Sequence, residues 1–148
     1  MQTERTRIKK LNGGILERYS RRLAGILLTL VSAAAFAGQA SIQFVRFEHQ
    51  GDGAWRVSVT LIHADSGWDH YADAWRVVAA DGSIIGTRTL YHPHVKEQPF
   101  TRSLDGIKPP EALGRVYVEA HDSVHGWNPE RLEVDLNGNG GDRFVVKR

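Results

Sequence analysis

The chain has 148 residues, of which 41% are hydrophobic and 24% are charged, and it contains no cysteine. The lack of cysteine excludes disulfide bonds, thiolate metal sites and cysteine nucleophiles. Seven of the 19 Lys and Arg but only two of the 17 Asp and Glu precede residue 38, so the remainder carries a net charge of about −3 and has no basic surface for nucleic acid.

Residues 1–37 have the three parts of an export signal. A basic lead covers residues 1–22, an uncharged apolar region covers residues 23–36, and the Ala-Phe-Ala at 35–37 fits the small-x-small pattern that precedes a signal peptidase cut. The Gly-Gln-Ala at 38–40 offers a second possible cut. Because 14 apolar residues are few for a membrane span, we expect a signal helix that is cleaved and leaves no stable membrane anchor. The protein would then be exported, and periplasmic if its source is a Gram-negative bacterium.

After residue 40, helical periodicity is nearly absent and short alternating stretches recur, which predicts one all-β domain over residues 41–148. In the second of these stretches the apolar side chains alternate from Trp55 to Leu61, and His63 continues the same face. In the first, we expect Ile42 and Phe44 to share a face. The predicted strands are 41–48, 54–63, 74–79, 84–91, 100–104, 115–121 and 131–136.

The last residues give weaker signals. The glycine-rich stretch 137–141 is expected to be flexible. Residues 144–146 either add an edge strand or trail off.

Seven short strands, an Asp81-Gly82 hairpin turn and a tryptophan, Trp75, in the third strand resemble an immunoglobulin-like or fibronectin-type-III-like antiparallel β-sandwich. This resemblance covers about residues 41–136 and implies a fold without implying an activity. The motif-rich segments at 67–75, 92–104 and 120–127 also resemble a small exported bacterial family, and that resemblance implies export alone.

The predicted topology brings most of the histidines together. Consecutive antiparallel strands alternate in direction, so the loops after the second, fourth and sixth strands lie at one end of the sandwich. Only His49 falls at the opposite end. Six histidines share the first end: His63, His70, His92, His94, His121 and His125.

Within this group, the His92-Pro93-His94 segment is expected to act as a bidentate pair, because the proline restricts the backbone and makes both rings project alike. Imidazoles with carboxylates and no sulfur are typical of zinc or copper(II) sites. Asp65 and Asp122 lie in the same loops as ligands or as acceptors that fix the imidazole tautomers. The predicted metal ligands are His63, His92, His94 and His121, with His70, His125, Asp69 and Glu97 as secondary candidates.

Three interpretations of the function stay open. The first is an exported binding protein for a divalent metal, copper(II) or zinc. The second is a metal-free interaction module that contacts a protein partner in the periplasm, or another ligand, through Trp68, Tyr71 and Trp127. The third is a metal-dependent hydrolase with Glu97 as a base, although no nucleophile motif surrounds a serine and no catalytic residue is assigned. We expect a binding protein more than an enzyme.

Individual residues also have purely structural alternatives. His63 could be a hydrogen-bonded histidine at the edge of the core. His121 shares its parity in the strand with Tyr117 and Glu119, so it could face solvent.

Overall fold

The computed structural model describes residues 38–148, and the predicted signal helix at 1–37 lies outside them. None of the described residues belongs to a helix that could cross a lipid bilayer. The described residues form ten strands: β1 Ser41–Gly51, β2 Ala54–Ile62, β3 Ala72–Val78, β4 Ile84–Thr89, β5 Phe100–Ile107, β6 Arg115–Asp122, β7 Gly126–Trp127, β8 Leu132–Asp135, β9 Gly140–Gly141 and β10 Phe144–Lys147.

The strands form two sheets. The first has the order β5-β2-β1-β10-β9, and the second has the order β4-β3-β6-β7, with β8 also paired to β6. Neighbouring strands are antiparallel except β1 and β10, which run parallel. The prediction of an all-β fold is confirmed, while the predicted count of seven strands is corrected to ten.

One hydrophobic core joins the two sheets. Val57, Val59 and Leu61 alternate along β2 and are fully buried, as the sequence pattern predicted. They share a cluster with Trp75 from the second sheet, while Trp55 is partly buried against that cluster. Removing these apolar side chains from water is the main stabilising contribution, at about 25 cal/mol per Å² of buried apolar surface.

The first strand departs from the predicted alternation. The β1–β2 register shifts between Ile42 and Phe44, which marks a β-bulge. An extra residue in one strand reverses the faces that follow it. Ile42 is therefore buried together with Val45 and Phe47, whereas Phe44 is only partly buried.

The C-terminal segment is more ordered than expected. Residues 140–141, within the stretch predicted to be flexible, pair with β10, and β10 pairs in turn with β1. A Cβ on Gly141 would come within 2.6 Å of a ring carbon of Phe144. Glycine at this position permits a close backbone approach.

The register defines one end of the fold. Ser41 pairs with Ile62, and Ala72 pairs with Asp122, so β1 and β3 begin where β2 and β6 end. The backbone N–H of Ala40 donates to Asp122, which joins these two pairs across the sheets. A group of histidine and acidic side chains, His63, His70 and Asp122, lies at this junction.

Candidate metal site

His63 and Asp65 follow the last residue of β2 and lie at the edge of the core. Both side chains are essentially inaccessible to solvent. Nδ1 of His63 lies 2.6 Å from Asp65 Oδ1, and the same oxygen accepts the backbone N–H of Ala72 at 3.0 Å. A carboxylate only accepts hydrogen bonds, so this contact places a proton on Nδ1 of His63. When the ring is neutral in this tautomer, its Nε2 atom carries a lone pair.

The Nε2 atom of His63 faces other electron-rich atoms. The carbonyl oxygen of Gly38 lies 2.8 Å from Nε2, and Nε2 of His70 lies 3.2 Å from it. A lone pair held 2.8 Å from a carbonyl oxygen is repelled unless a cation shares the space, whether a proton on Nε2 or a metal ion between the two atoms. These contacts therefore fit either a ring that donates a hydrogen bond to the Gly38 carbonyl oxygen or a ring that binds a metal ion.

His70 and Asp122 complete the cluster. His70 Nε2 lies 3.2 Å from Asp122 Oδ1, the same separation that it has from His63 Nε2. Ligands bound to zinc at 2.0–2.1 Å in a tetrahedron are about 3.3 Å apart. Within residues 38–148, His63, His70 and Asp122 are the group of histidine and acidic side chains whose ligand atoms lie mutually within 4.8 Å. They could hold a metal ion.

Asp122 is fully buried at the end of β6. Burial raises the pKa of its carboxyl group, but hydrogen bonds from the backbone N–H groups of His125, Val124 and Ala40 and from the His125 ring offset this effect, so that the pKa lies below its ordinary value. The carboxyl group is thus ionised without a metal. An ionised carboxylate beside two imidazoles suits a divalent cation.

His125 lies at the outer edge of the cluster. Its Nδ1 atom is 3.0 Å from Asp122 Oδ1, and its ring centre is 4.9 Å from that of His70. Its side chain is about one-third exposed, with a relative accessibility of 36%. This ring contacts the cluster and faces solvent.

His92 and His94 form a separate branch. Their rings lie side by side, with centres 4.6 Å apart, and His94 also stacks on Phe100 at 3.9 Å. His94 is buried, and its backbone N–H donates to Asp65 Oδ2 at 2.6 Å. Asp65 therefore links this branch to His63. Neither ring nitrogen of His94 has a hydrogen-bond partner among the described residues.

The surroundings of His94 favour its neutral form. Burial, then the charges of Arg102 and His92, lower the pKa of the His94 ring, and Glu97 and Asp65 only partly counteract them. The His92–Pro93–His94 segment thus places one exposed and one buried ring next to each other. Neither ring is part of the group formed by His63, His70 and Asp122.

His121 lies on the outer face of the second sheet. Its Nδ1 atom is 2.5 Å from Asp73 Oδ1, and its ring contacts Trp127 edge-on at 4.8 Å. Neighbouring side chains of a strand point to opposite faces, and Asp122 is buried on the inner face. The sheet therefore separates His121 from the cluster.

The remaining acidic candidates are exposed. Asp69 and Glu97 both lie at the surface, and Glu97 pairs with Arg102 at 2.9 Å. The hydrogen bond from Arg102 lowers the pKa of the Glu97 carboxyl group. Neither carboxylate belongs to the group of ligand atoms described above.

The aromatic candidates do not form one uniform surface. Trp68 is 68% exposed and meets Tyr71 edge-on, with ring centres 5.8 Å apart. Trp127 is partly buried, and the Arg76 guanidinium lies 3.8 Å above its ring. Trp68 is thus the most accessible of the three.

Two contributors to the cluster differ in how visible they are in the sequence. Asp122 continues the inward parity of Val116, Val118 and Ala120, which would have placed it beside the core. The Gly38 carbonyl had no such signal, because a backbone oxygen carries no sequence pattern.

Comparisons with known proteins give little guidance on activity. No protein-family model matches the chain. The chain is 40% identical over 107 residues to a protein of Halomicrobium mukohataei named "Putative lipoprotein", and the match covers 72% of this chain and 52% of that protein. The chain therefore spans about half the length of this relative.

A solved structure of superoxide reductase (neelaredoxin) from Ignicoccus hospitalis is similar with a TM-score of 0.39 and 17% identity, over 68% of this chain and 82% of that one. A likeness at this level carries no argument about the function of this chain.

Proposed function

We propose that the protein is an exported metal-binding protein whose His63, His70 and Asp122 hold one divalent ion. The observation that carries this proposal is the convergence of three possible ligand atoms, with Nε2 of His70 lying 3.2 Å from His63 Nε2 and 3.2 Å from Asp122 Oδ1. A metal ion at the centre of this group would bind all three atoms. Asp65 would hold the ring of His63 in the binding orientation, the usual role of a carboxylate on the outer nitrogen of a metal-bound histidine.

Zinc fits the separations among His63, His70 and Asp122 better than copper(II) does. The two separations of 3.2 Å are close to the tetrahedral value of about 3.3 Å. Adjacent ligands in the square arrangement that copper(II) prefers would be about 2.9 Å apart. Zinc is therefore the ion that we propose first, with copper(II) as the alternative.

Export is supported by the leader-like composition of residues 1–37 and by the name of the relative, which describes a lipoprotein. A lipid attached through a thiol needs a cysteine, and this sequence contains none. We propose a protein that is exported without such an anchor, and periplasmic in a Gram-negative host. A metal-dependent hydrolase stays the weaker alternative, because its proposed base, Glu97, is exposed, pairs with Arg102 and lies outside the group formed by His63, His70 and Asp122.

The strand order also supports a finer description of the fold. One layer is β5-β2-β1 and the opposing layer is β4-β3-β6 with β8 on β6. We propose a fibronectin-type-III-like arrangement extended by β9 and β10. This arrangement predicts that a chain truncated before residue 137 is less stable but keeps strands β1 to β8.

Metal content tests the function directly. The protein is purified from the exported fraction, its zinc and copper are measured by mass spectrometry, and the chelated protein is titrated with each ion in a calorimeter. We expect one equivalent of metal and tighter binding of zinc. A protein that purifies without metal and gives no heat with either ion would overturn the proposal.

Contact with a partner protein is a second candidate, favoured by the 68% exposure of Trp68. An exposed tryptophan beside a tyrosine is typical of interface anchors. Cross-linking in the exported fraction should give a product that Trp68→Ala loses and His63→Ala keeps. If both variants give the same product as the unaltered chain, this candidate fails.

A further inference from the structure

We propose that signal cleavage after Ala37 completes the metal site, because it places the new α-amino group of Gly38 where it can act as a fourth ligand. This inference rests on the proposed function and on the predicted cleavage. It makes metal binding a property that the exported protein acquires when its leader is removed.

The segment that precedes β1 is an integral part of the folded domain. Ala40 is fully buried, its N–H donates to Asp122 Oδ2 at 3.3 Å, and its carbonyl oxygen accepts a hydrogen bond from the Asn128 side chain at 2.9 Å. A cut after Ala40 would remove that residue and leave the buried Asp122 and Asn128 groups without these partners, which costs about 1–3 kcal/mol per group. The cut after Ala37 preserves all of these contacts.

Gly38 itself lies against the cluster. In addition to its carbonyl contact with His63, a Cβ built on Gly38 would come within 2.9 Å of His125 Cε1 and within 3.7 Å of His70 Cε1. A side chain would therefore collide with the His125 ring, and glycine allows the backbone to lie beside both imidazoles. The backbone nitrogen of Gly38 is bonded to the Cα atom that would carry this Cβ, about 1.5 Å away, and it belongs to the same residue as the carbonyl oxygen that contacts His63.

Cleavage changes the chemistry of that nitrogen. In the uncut chain it is an amide whose lone pair is delocalised into the Ala37 carbonyl group, so it is a poor ligand. Hydrolysis adds one water across the bond, leaving a carboxylate on Ala37 and an amino group on Gly38. An α-amino group has a reference pKa of about 7.7–8.0, so an arriving metal ion displaces its proton readily near neutral pH.

The amine and the carbonyl oxygen of one residue can bind the same ion in a five-membered ring. Gly38 would thus add a nitrogen to the three ligands from His63, His70 and Asp122, and its carbonyl oxygen already faces His63 Nε2. The amine would make four ligands, the usual number for a structural zinc site, and the chelating carbonyl oxygen would make a fifth, which zinc also accepts.

The test changes the amine and leaves the rest of the site in place. The full chain is expressed with its leader, alongside a variant with one alanine inserted between Ala37 and Gly38, and both exported proteins are sequenced from the N-terminus. The insertion keeps the Gly38 carbonyl but moves the free amine one residue outward. Each protein is then titrated with zinc and with copper(II).

We expect the natural chain to begin at Gly38 and the variant to bind zinc at least about tenfold more weakly. Zinc should also slow acylation of the Gly38 amine in the natural protein but not acylation of the displaced amine in the variant. A mature protein that begins at Ser41, or equal affinities and equal acylation rates, would overturn the inference.

These outcomes differ from a failure of the proposed function. If the natural protein that begins at Gly38 binds neither ion, the metal site and this inference fall together. If both proteins bind zinc with the same affinity, the metal site stands and only the role of the amine is lost.

Discussion

Two histidine–carboxylate pairs at the same end of the fold have nearly the same local geometry and different surroundings. His63 meets Asp65 at 2.6 Å, and His121 meets Asp73 at 2.5 Å, in both cases through Nδ1. His63 is buried and its Nε2 atom faces Gly38 and His70, whereas His121 is partly exposed on the outer face of β6 beside Trp127. The carboxylate orients the ring in both pairs. The atoms around Nε2 decide whether the ring can bind a metal.

Replacing the histidine of each pair should give the largest difference. We expect His63→Ala to weaken zinc binding by more than about 100-fold, because a direct ligand contributes more than the outer partners whose loss costs 10- to 100-fold. His121→Ala is the matched control and should bind zinc like the unaltered protein. Calorimetric titration of both variants measures this, and weaker binding in His121→Ala would place the site on the other face.

The carboxylates allow a second, smaller contrast. Asp65→Asn should weaken zinc binding by about 10- to 100-fold, because the amide no longer holds a proton on Nδ1 of His63 as strongly. It should also destabilise the metal-free protein by about 1–3 kcal/mol, because the buried Asp65 accepts the backbone N–H groups of Ala72 and His94.

Asp73→Asn provides the control for that contrast. Asp73 is partly exposed, so its variant should keep the zinc affinity of the unaltered protein. Zinc titration and urea unfolding are measured for both variants. Equal zinc affinities would show that Asp65 does not orient a ligand.

Replacing His94 should change the pH dependence of folding stability rather than metal binding. The pKa of His94 in the folded protein lies below its ordinary value of 6.5, so the unfolded chain binds more protons than the folded protein. The free energy of unfolding therefore falls as the pH drops below about 6.5, and it stops falling once the pH is below the folded pKa. Urea unfolding of chelated protein between pH 7.5 and pH 4.5 should show less of this loss in His94→Gln.

His49→Gln is the control, because His49 lies at the opposite end of the fold, opposite Trp55. It should keep the pH dependence of the unaltered protein. An identical pH dependence in all three proteins would contradict the assignment of this loss to His94.

The smallest effects are expected at the exposed carboxylates. Glu97→Gln and Asp69→Asn should each leave the zinc affinity unchanged, since both side chains are at the surface and outside the ligand group. The His92→Ala variant should behave in the same way, because its ring is exposed beside His94 and not beside His63. A clear loss of zinc binding in any of the three would require a second set of ligands.

Much of the fold followed from local pattern. The alternation from Trp55 to His63 predicted the buried face of β2, and the turn-forming residues separated most of the strands, because both depend on the two-residue period of a β-strand and on turn chemistry. The bulge in β1 and the pairing of β10 with β1 could not be predicted from local pattern. An extra residue leaves no local signal, and a strand at the C-terminus is stabilised by a partner about one hundred residues away.

The sequence by itself also determined which residue types were available: imidazoles and carboxylates without thiols, concentrated in the loops at one end. The tertiary structure decided which of them meet. It brought His63 together with His70, Asp122 and the Gly38 carbonyl, and it placed His121 behind a sheet. A metal site depends on separations of about 3 Å between atoms from distant parts of the chain, and only packing of the two sheets sets those separations.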